Sequence, residues 1–301
     1  MIGSNTLEKI QTYGVTGSAE RVWKRLKRRS GFDKWRCRNA RVYASPSEEE
    51  LLEIETDLIA AGVAVHDYEP ERAEFIEFQK SGFFPERYHG GRNSGVWDEK
   101  LLEHWIAAQR LDLFNFGEHE IYVDAAACSS PWSRTLREGH EIKAFAIDLE
   151  VNPEFASLDY YRQEDATNTR FADSSVRGMS LQCAFEMFTG DDDLNFISEV
   201  HRIMRPGGRV VILPLYMHTH YCAYSTPDYF GKGFSDVDAV EYVRMDSYGV
   251  PSSRKYDAAH LKSRILDRIT SMGMNYQLMA LRNKQQFGDN IYCHFILEIT
   301  K

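Results

Sequence analysis

The sequence predicts an α/β fold in which helices flank a mostly parallel sheet. From the middle of the chain onward, short apolar runs alternate with helical patterns, which is typical of parallel strands joined by helices. The apolar runs at 121–123 and 142–149 carry an acid at their ends, Asp124 and Asp148. A helical pattern that ends at Pro-Gly-Gly, 206–208, precedes another β-rich run. With 301 residues, the chain is long enough for one large domain or a core domain with an appended region.

The composition is that of a globular protein with an acidic balance. The net charge of −9 argues against general affinity for nucleic acid. No apolar run is long enough to span a bilayer, and the N-terminus has no signal-peptide pattern. The cysteines are scattered without a C-x-x-C motif, so we expect reduced thiols in a cytoplasmic protein and no zinc site: Cys37, Cys128, Cys183, Cys222 and Cys293.

The first part of the chain predicts helices ahead of the core. A Ser-Pro-Ser start at 45–47, followed by three acids, predicts a helix that Gly62 ends. Residues 69–80 and 98–113 have further helical patterns. Between them, a Gly-rich aromatic segment at 81–97 is either a functional lid or a plain connection.

A basic segment at 20–41 stands out in this acidic chain. One interpretation is an amphipathic helix that binds an anion, such as a phosphate-bearing substrate, an acidic membrane surface or RNA. The other is a solvated helix face that acids elsewhere in the protein balance.

The stretch EIYVDAAACSSPW, 120–132, is the one around which the core is organised. A short strand ends on Asp124, and small residues follow it. Small side chains let backbone N–H groups approach a nucleotide-type cofactor, and the helix that opens near Pro131 would present its positive end. A buried strand with a small-residue turn is the alternative.

Three later stretches strengthen the cofactor interpretation. Asp148 lies roughly 20 residues past the first turn, where an acid suits a pair of ribose hydroxyls. Polar stretches follow at 161–166 and 171–176, and the helix–turn–strand stretch RIMRPGGRVVI covers 202–212.

In this order and spacing, the stretches resemble the class I, Rossmann-like S-adenosylmethionine-dependent methyltransferases, close to the type-11 small-molecule group. The resemblance is good over 117–215. It implies a three-layer sandwich whose mostly parallel, seven-stranded sheet ends in an antiparallel hairpin. It also implies a helical N-terminal lid and substrate region, 1–116, and a core, 117–301, with a substrate-specificity insertion at about 214–256.

The sequence departs from the family at its glycine loop, where Ala126, Cys128 and Ser130 occupy the places of the usual glycines. Each replacement is small. A nicotinamide-dependent dehydrogenase would need those glycines more, because its pyrophosphate must lie against the turn.

The resemblance implies the residues that contact the cofactor, S-adenosyl-L-methionine. Asp124 and the backbone from Ala125 to Ser130 would hold the methionine portion. In the lid, Arg92 would pair with its carboxylate, and Trp97 would cover the sulfonium. The remaining contacts would come from Asp148 on the ribose, Leu149, Asp165 and Ala166 around the adenine, and Gln182 beside the sulfonium.

The residues that would bind the methyl acceptor are expected in the loops that follow the strands. Ligands of open α/β sheets sit at the carboxyl ends of the strands, so the segment after the fifth strand should border the site. His218 or His220 is the expected general base, because an alcohol nucleophile needs a proton acceptor. Either could instead be an ordinary loop residue. The expected substrate contacts are Tyr88, Glu186, Tyr216 and Tyr221.

Clustered acids at 191–193 could suggest magnesium, but helix capping explains them more simply, and no metal is expected.

Three functions are weighed. The first is O-methylation of a small molecule, a sugar or another polar metabolite, by in-line methyl transfer. The second is an RNA methyltransferase that uses the basic segment, against which the acidic balance counts. The third is a methyltransferase-like binding or scaffold protein that has lost its donor. The expected partner is a small molecule, and homodimer formation is left open.

Overall fold

The computed structural model describes residues 31–127, 130–232 and 236–301. These residues fall into two compact units. The larger unit comprises 46–222 and 254–301, and the smaller one comprises 31–45 and 223–253 in the described part of the chain.

The larger unit contains an eight-stranded sheet. Its strands are β1 (Val65–Tyr68), β2 (Ile121–Ala125), β3 (Lys143–Asp148), β4 (Tyr161–Gln163), β5 (Val176–Gln182), β6 (Met204–Leu215), β10 (Asn275–Leu281) and β11 (Phe295–Thr300). Their order across the sheet is β1-β10-β11-β6-β5-β2-β3-β4. The pairs β2–β3, β2–β5, β3–β4 and β5–β6 are parallel, while β11 runs antiparallel to β6 and β10. This arrangement confirms the predicted three-layer α/β fold with its final antiparallel hairpin.

The sheet has one strand more than the seven predicted. The additional strand, β1, lies in the segment that the sequence assigned to the helical lid, and it pairs in parallel with Leu278–Leu281 of β10. Its four side chains are exposed or half-buried, so they carry no apolar pattern. Only a partner more than 200 positions away along the chain makes this segment a strand.

The helices lie close to the positions that the sequence predicts. Ser47 accepts the backbone N–H of Glu50, whose side chain accepts the N–H of Ser47, a reciprocal pair that caps the first turn. No described helix is both long and apolar enough to cross a membrane. The helices of the larger unit are Glu48–Ala60, Arg72–Lys80, Trp97–Leu111, Trp132–His140, Asp192–Ile203, and Ala258–His260, which continues through a π-helical section, Leu261–Leu266, into Asp267–Ser271.

The helix Trp97–Leu111 is buried almost all round, although its sequence predicts an amphipathic surface helix. Four of its buried residues are polar or charged: Glu99, Lys100, Glu103 and His104. Burying so many polar groups requires partners for them, so this helix lines a polar interior.

The segment 214–256 is more regular than its sequence suggested. It contains β7 (Cys222–Ser225), β8 (Val240–Val243) and β9 (Ser253–Lys255), in a three-stranded sheet of order β8-β7-β9.

Only residues 31–41 of the basic segment lie within the described chain, where Phe32–Arg36 is a short helix. In the smaller unit the Arg36 guanidinium donates to the carbonyl oxygens of Pro227 and Phe230 at 3.2 and 2.9 Å. This arginine therefore holds the unit together. The remaining part of the basic segment, 20–30, lies outside the described residues.

Candidate functional site

The carboxyl ends of four neighbouring parallel strands meet at one edge of the large sheet. β2 lies between β3 and β5, and β6 adjoins β5. The predicted site residues follow these strand ends, because Asp124, Asp148 and Gln182 occupy the last or next-to-last positions of β2, β3 and β5. Strand order thus brings together residues that lie far apart in the sequence.

Asp124 is a buried carboxyl group without a hydrogen-bond partner among the described residues. Its exposed fraction is zero, and both of its oxygens are unpartnered there. Burial raises the pKa of Asp124 to about 7; the nearby Ser130 hydroxyl lowers it in part, and the charge of Asp148 adds to the rise. A buried carboxylate of this kind is stabilised when a ligand brings a cation or N–H donors.

The turn after β2 is tight and has no glycine. Ala126 takes a left-handed conformation with φ of 54°, which glycine adopts at lower cost. The Ala127 N–H donates to the Ile147 carbonyl at 3.1 Å, and the Ser130 N–H donates to the Ala127 carbonyl at 2.8 Å. Ala126 therefore holds a backbone conformation that favours glycine. Cys128 lies outside the described residues.

A cavity of about 410 Å³ opens beside this turn. Two predicted site residues, Tyr88 and Ser130, lie on its wall with Ala127. The lid segment contributes Pro85 and His89 on the opposite side. A cavity of this size falls within the range of small-molecule sites.

The β3 side carries a polar and an apolar group next to each other. Asp148 is half-buried and accepts the Glu150 N–H at 3.2 Å, and Leu149 is 66% exposed. Asp165 is exposed and accepts the N–H and hydroxyl of Thr167 at 2.8 and 2.7 Å, while Ala166 is buried. An acid with an exposed leucine beside it suits a ribose and a base.

The predicted lid residues lie at different distances from the Asp124 end of the site. Tyr88 is buried, with its hydroxyl 2.9 Å from Nε2 of His104. Burial raises the pKa of Tyr88, and the nearby Asp124 charge adds to the rise. Trp97 is 4% exposed, and the exposed Arg92 lies over its ring at 5.6 Å. Tyr88 is therefore near the Asp124 end of the site, while Arg92 contacts Trp97.

His104 is a site residue that was not predicted from the sequence. This fully buried imidazole lies between Tyr88 and Gln182, whose amide nitrogen is 3.4 Å from Nδ1. Burial lowers the pKa of His104, so the ring is neutral. The available signal was the run of polar residues on a helix otherwise rich in apolar ones.

A second missed feature is a polar cluster around Cys183, the residue after β5. The Lys100 ammonium donates to both carboxylate oxygens of Glu103, at 2.8 and 2.9 Å, and lies 2.8 Å from the Cys183 sulfur. The hydroxyls of Tyr216 and Tyr292 lie 3.4 and 3.5 Å from the same sulfur. Burial raises the pKa of the thiol, and the Glu103 charge adds to this, so Cys183 is protonated.

Glu186 lies close to this cluster. It is buried, and its Oε2 has no hydrogen-bond partner among the described residues. Burial raises the pKa of Glu186, against the opposing effect of the Lys255 charge. The Lys255 ammonium also lies 3.7 Å from the ring centre of Tyr216. A buried carboxyl group with a raised pKa is suited to accept a proton or to bind a polar ligand.

The predicted bases His218 and His220 lie side by side in the segment after β6. Their ring centres are 4.4 Å apart, and the Thr219 hydroxyl lies 3.3 Å from Nδ1 of each ring. Tyr221 is buried and stacks on His260 at 4.1 Å. The structure thus brings the two histidines together, with Tyr221 facing the helix that begins at Ala258.

The acids at 191–193 do not cap the helix as expected. Asp191 occupies the N-cap position, but its side chain makes no capping hydrogen bond to the helix. Asp193 is buried, and its carboxylate accepts from the guanidinium groups of Arg254 and Arg264. These arginines lie 61 and 71 positions further on, so no local pattern predicts the pairs.

An open, mostly parallel sheet with acids at the carboxyl ends of β2 and β3 is the arrangement of Rossmann-like folds, whose ligands bind at that edge. Residues 123–212 match the family model described as a methyltransferase domain. The match confirms that this stretch is a methyltransferase domain, as the sequence predicts.

Several solved structures are similar in fold. The Burkholderia thailandensis 1,6-didemethyltoxoflavin-N1-methyltransferase is 14% identical with a TM-score of 0.45, and the match covers 79% of this chain and 93% of that one. Geranyl diphosphate C-methyltransferase from Streptomyces coelicolor is 12% identical with a TM-score of 0.40, and the match covers 77% of this chain and 98% of that one. A SAM-dependent methyltransferase from Aquifex aeolicus is 11% identical with a TM-score of 0.38, and the match covers 76% of this chain and 97% of that one. No curated protein sequence matches the chain.

Proposed function

We propose that this protein transfers the methyl group of S-adenosylmethionine to a hydroxyl oxygen of a small polar molecule, such as a sugar. The proposed donor site rests on the buried carboxyl group of Asp124 at the end of β2, which has no hydrogen-bond partner among the described residues. The ammonium of the donor's methionine portion would supply the cation that this carboxylate needs.

The other donor contacts follow from position. Asp148 would accept hydrogen bonds from the ribose hydroxyls, with Leu149 against one face of the adenine. Asp165 and Ala166 would border the adenine edge, and Gln182 would lie beside the sulfonium. The cavity wall at Tyr88, Ala127 and Ser130 would enclose the methionine portion. Arg92 and Trp97 stay lid candidates from the sequence.

The acceptor half rests on the polar groups beyond β5 and β6. Glu186, Tyr216 and Tyr221 offer hydrogen-bonding groups with aromatic faces, which suit a polar molecule such as a sugar. The hydroxyl oxygen must lie in line with the methyl–sulfur bond, and the site contributes mainly by holding it there. His218 or His220 would accept its proton, with Glu186 as the alternative acceptor.

Donor binding is tested by titrating the purified protein with S-adenosylhomocysteine in a calorimeter. We expect binding in the wild type and a loss of at least about tenfold, or about 1.4 kcal/mol, in Asp124→Asn and in Asp148→Ala. Asp159→Ala is the matched control, because Asp159 is an exposed acid for which no donor contact is proposed. Equal affinity in all four proteins would contradict the proposed donor site.

The acceptor class is tested with radiolabelled donor and panels of sugars, aromatic alcohols, amines and transfer RNA. Methyl transfer to a sugar or another polar alcohol supports the proposal. Transfer only to an amine or only to RNA contradicts it, and salt-sensitive RNA binding would favour the RNA alternative.

We also propose that the protein is located in the cytoplasm. None of the four described cysteines forms a disulfide, which agrees with a reducing compartment. A homodimer would be recognised by its mass in solution.

A further inference from the structure

Three side chains at alternating positions meet directly after β6. His218, His220 and Cys222 each offer one potential ligand atom, and these atoms lie within 4.8 Å of one another. His218 and Cys222 are buried, and His220 is half-buried. All three belong to the larger unit.

We propose that His218, His220 and Cys222 bind a zinc ion. Two imidazoles and one thiolate are ligands that zinc prefers, whereas magnesium and calcium require oxygen ligands. Zinc–ligand bonds of about 2.0–2.3 Å place tetrahedral ligand atoms roughly 3.3–3.8 Å apart. The spacing in this cluster is within about 1 Å of that requirement, so small side-chain rotations complete the site.

The neighbouring residue orients both rings. Thr219 Oγ1 lies 3.3 Å from Nδ1 of His218 and from Nδ1 of His220. A hydroxyl oxygen has two lone pairs and can accept both N–H groups. This arrangement assigns Nε2 of each ring to the zinc and makes Thr219 a positioning residue, since an outer hydrogen bond fixes the tautomer and the orientation of a metal-binding histidine.

The backbone of the cluster is also held in place. The His218 N–H donates to the Tyr256 carbonyl at 2.8 Å, and the Tyr221 N–H donates to the Asp257 carboxylate at 3.1 Å. These two bonds fix the segment on both sides of His220. The ligands are therefore presented by a supported segment of backbone.

Three protein ligands leave the fourth tetrahedral position open, which is the pattern of catalytic zinc sites. The position can take a water molecule or, on the basis of the proposed function, a hydroxyl oxygen of the methyl acceptor. Zinc lowers the pKa of a bound water to about 7, and it acts on a bound alcohol in the same sense. As zinc ligands the two histidines would no longer accept the acceptor's proton, and that role would pass to Glu186, the alternative proton acceptor of the proposed function.

The site is tested first by the zinc content of protein purified without chelator, and then by replacing the metal with cobalt(II). We expect about one zinc per chain and, with cobalt, a thiolate-to-metal charge-transfer absorption. Cys222→Ser should remove that absorption, and His220→Ala should remove the bound zinc. Thr219→Val should weaken zinc binding by about 10- to 100-fold. His119→Ala, at an exposed histidine outside the cluster, should change nothing.

Circular dichroism and S-adenosylhomocysteine binding are measured on every variant. A variant that binds the donor product but no zinc has kept its fold and supports the site. If wild-type protein binds the donor product but binds neither zinc nor cobalt with a Kd below about 10 µM, the site is overturned and the proposed function stands. If it binds zinc but no donor product, the proposed function fails and the metal site stands.

Discussion

Asp193 and Arg254 form an ion pair inside the protein, with 2.5 Å between Oδ2 and Nη1 and side chains that are 0% and 1% exposed. The Tyr256 hydroxyl and the Arg264 guanidinium donate to the same carboxylate. The network ties the helix that begins at Asp192 to the chain after β9. Because Tyr256 also accepts the His218 N–H, the network supports the segment that carries the two histidines.

Removing the central carboxylate of this network should destabilise the fold. In Asp193→Ala, the buried Arg254 charge loses its partner, and we expect the free energy of unfolding to fall by about 3–5 kcal/mol. Urea denaturation measures the change. Asp191→Ala is the control, because the side chain of Asp191 is 75% exposed and its pair with Arg264 should contribute less than about 1 kcal/mol. If the free energy of unfolding fell by similar amounts in the two variants, burial of the ion pair would not be the cause of the destabilisation.

Asp124 should make the stability of the ligand-free protein depend on pH. Burial raises the pKa of its carboxyl group from 3.8 to about 7. Between these values the folded state keeps a proton that the unfolded state has released, so stability falls as the pH rises from about 4 to 7. Relative to Asp124→Asn, which cannot ionise, the wild type should lose up to about 4 kcal/mol over this range.

The measurement is the free energy of unfolding of both proteins at intervals across that range. S-adenosylhomocysteine should reduce the difference, because its ammonium stabilises the ionised carboxylate. A constant difference between wild type and Asp124→Asn from pH 4 to 7 would mean that the carboxyl group has an ordinary pKa.

Replacing Ala126 by glycine should stabilise the protein. Ala126 has a φ of 54°, and the left-handed conformation costs an alanine roughly 1–2 kcal/mol. After the entropy cost of glycine is subtracted, we expect a gain of about 0.5–1 kcal/mol in thermal or urea denaturation. Ala127→Gly is the control: it relieves no such conformation and should destabilise. A loss of stability in both variants would mean that the turn carries no strain at Ala126.

The ion pair between Lys100 and Glu103 should affect the free energy of unfolding far more than an exposed ion pair of the same spacing. Their side chains are 11% and 0% exposed. In Lys100→Met, the Glu103 charge stays buried without its partner, so the free energy of unfolding should fall by about 3–5 kcal/mol. Lys80→Met removes an i,i+3 pair with Glu77 whose side chains are 65% and 73% exposed, and it should change stability by less than about 0.5 kcal/mol.

A further variant separates pairing from packing. Lys100→Met combined with Glu103→Leu removes both charges and should recover much of the stability lost in the single variant, because no unpaired charge is left inside. If the double variant were as unstable as Lys100→Met alone, packing around the helix would be the cause.

The strand ends that carry Asp124 and Asp148 could be predicted because the sequence patterns that define them are local. An apolar run, the acid at its end and the small residues of the turn lie next to one another in the sequence, and their alternation with helical patterns predicts a parallel sheet. The order of the strands comes from the structure alone. The helix start at Ser47 was readable for the same reason, since the cap and its partner Glu50 are three positions apart. The strand β1 was not readable, because its identity depends on β10.

The sequence by itself determined the class of the fold and the positions of the acids Asp124 and Asp148, since both follow from patterns that are local in the sequence. Only the tertiary structure decided which distant polar groups meet: Lys100 with Cys183, Tyr88 with His104, and Asp193 with Arg254. The physical reason is that a buried polar group must find a partner, and its partner is set by how helices and strands pack in space.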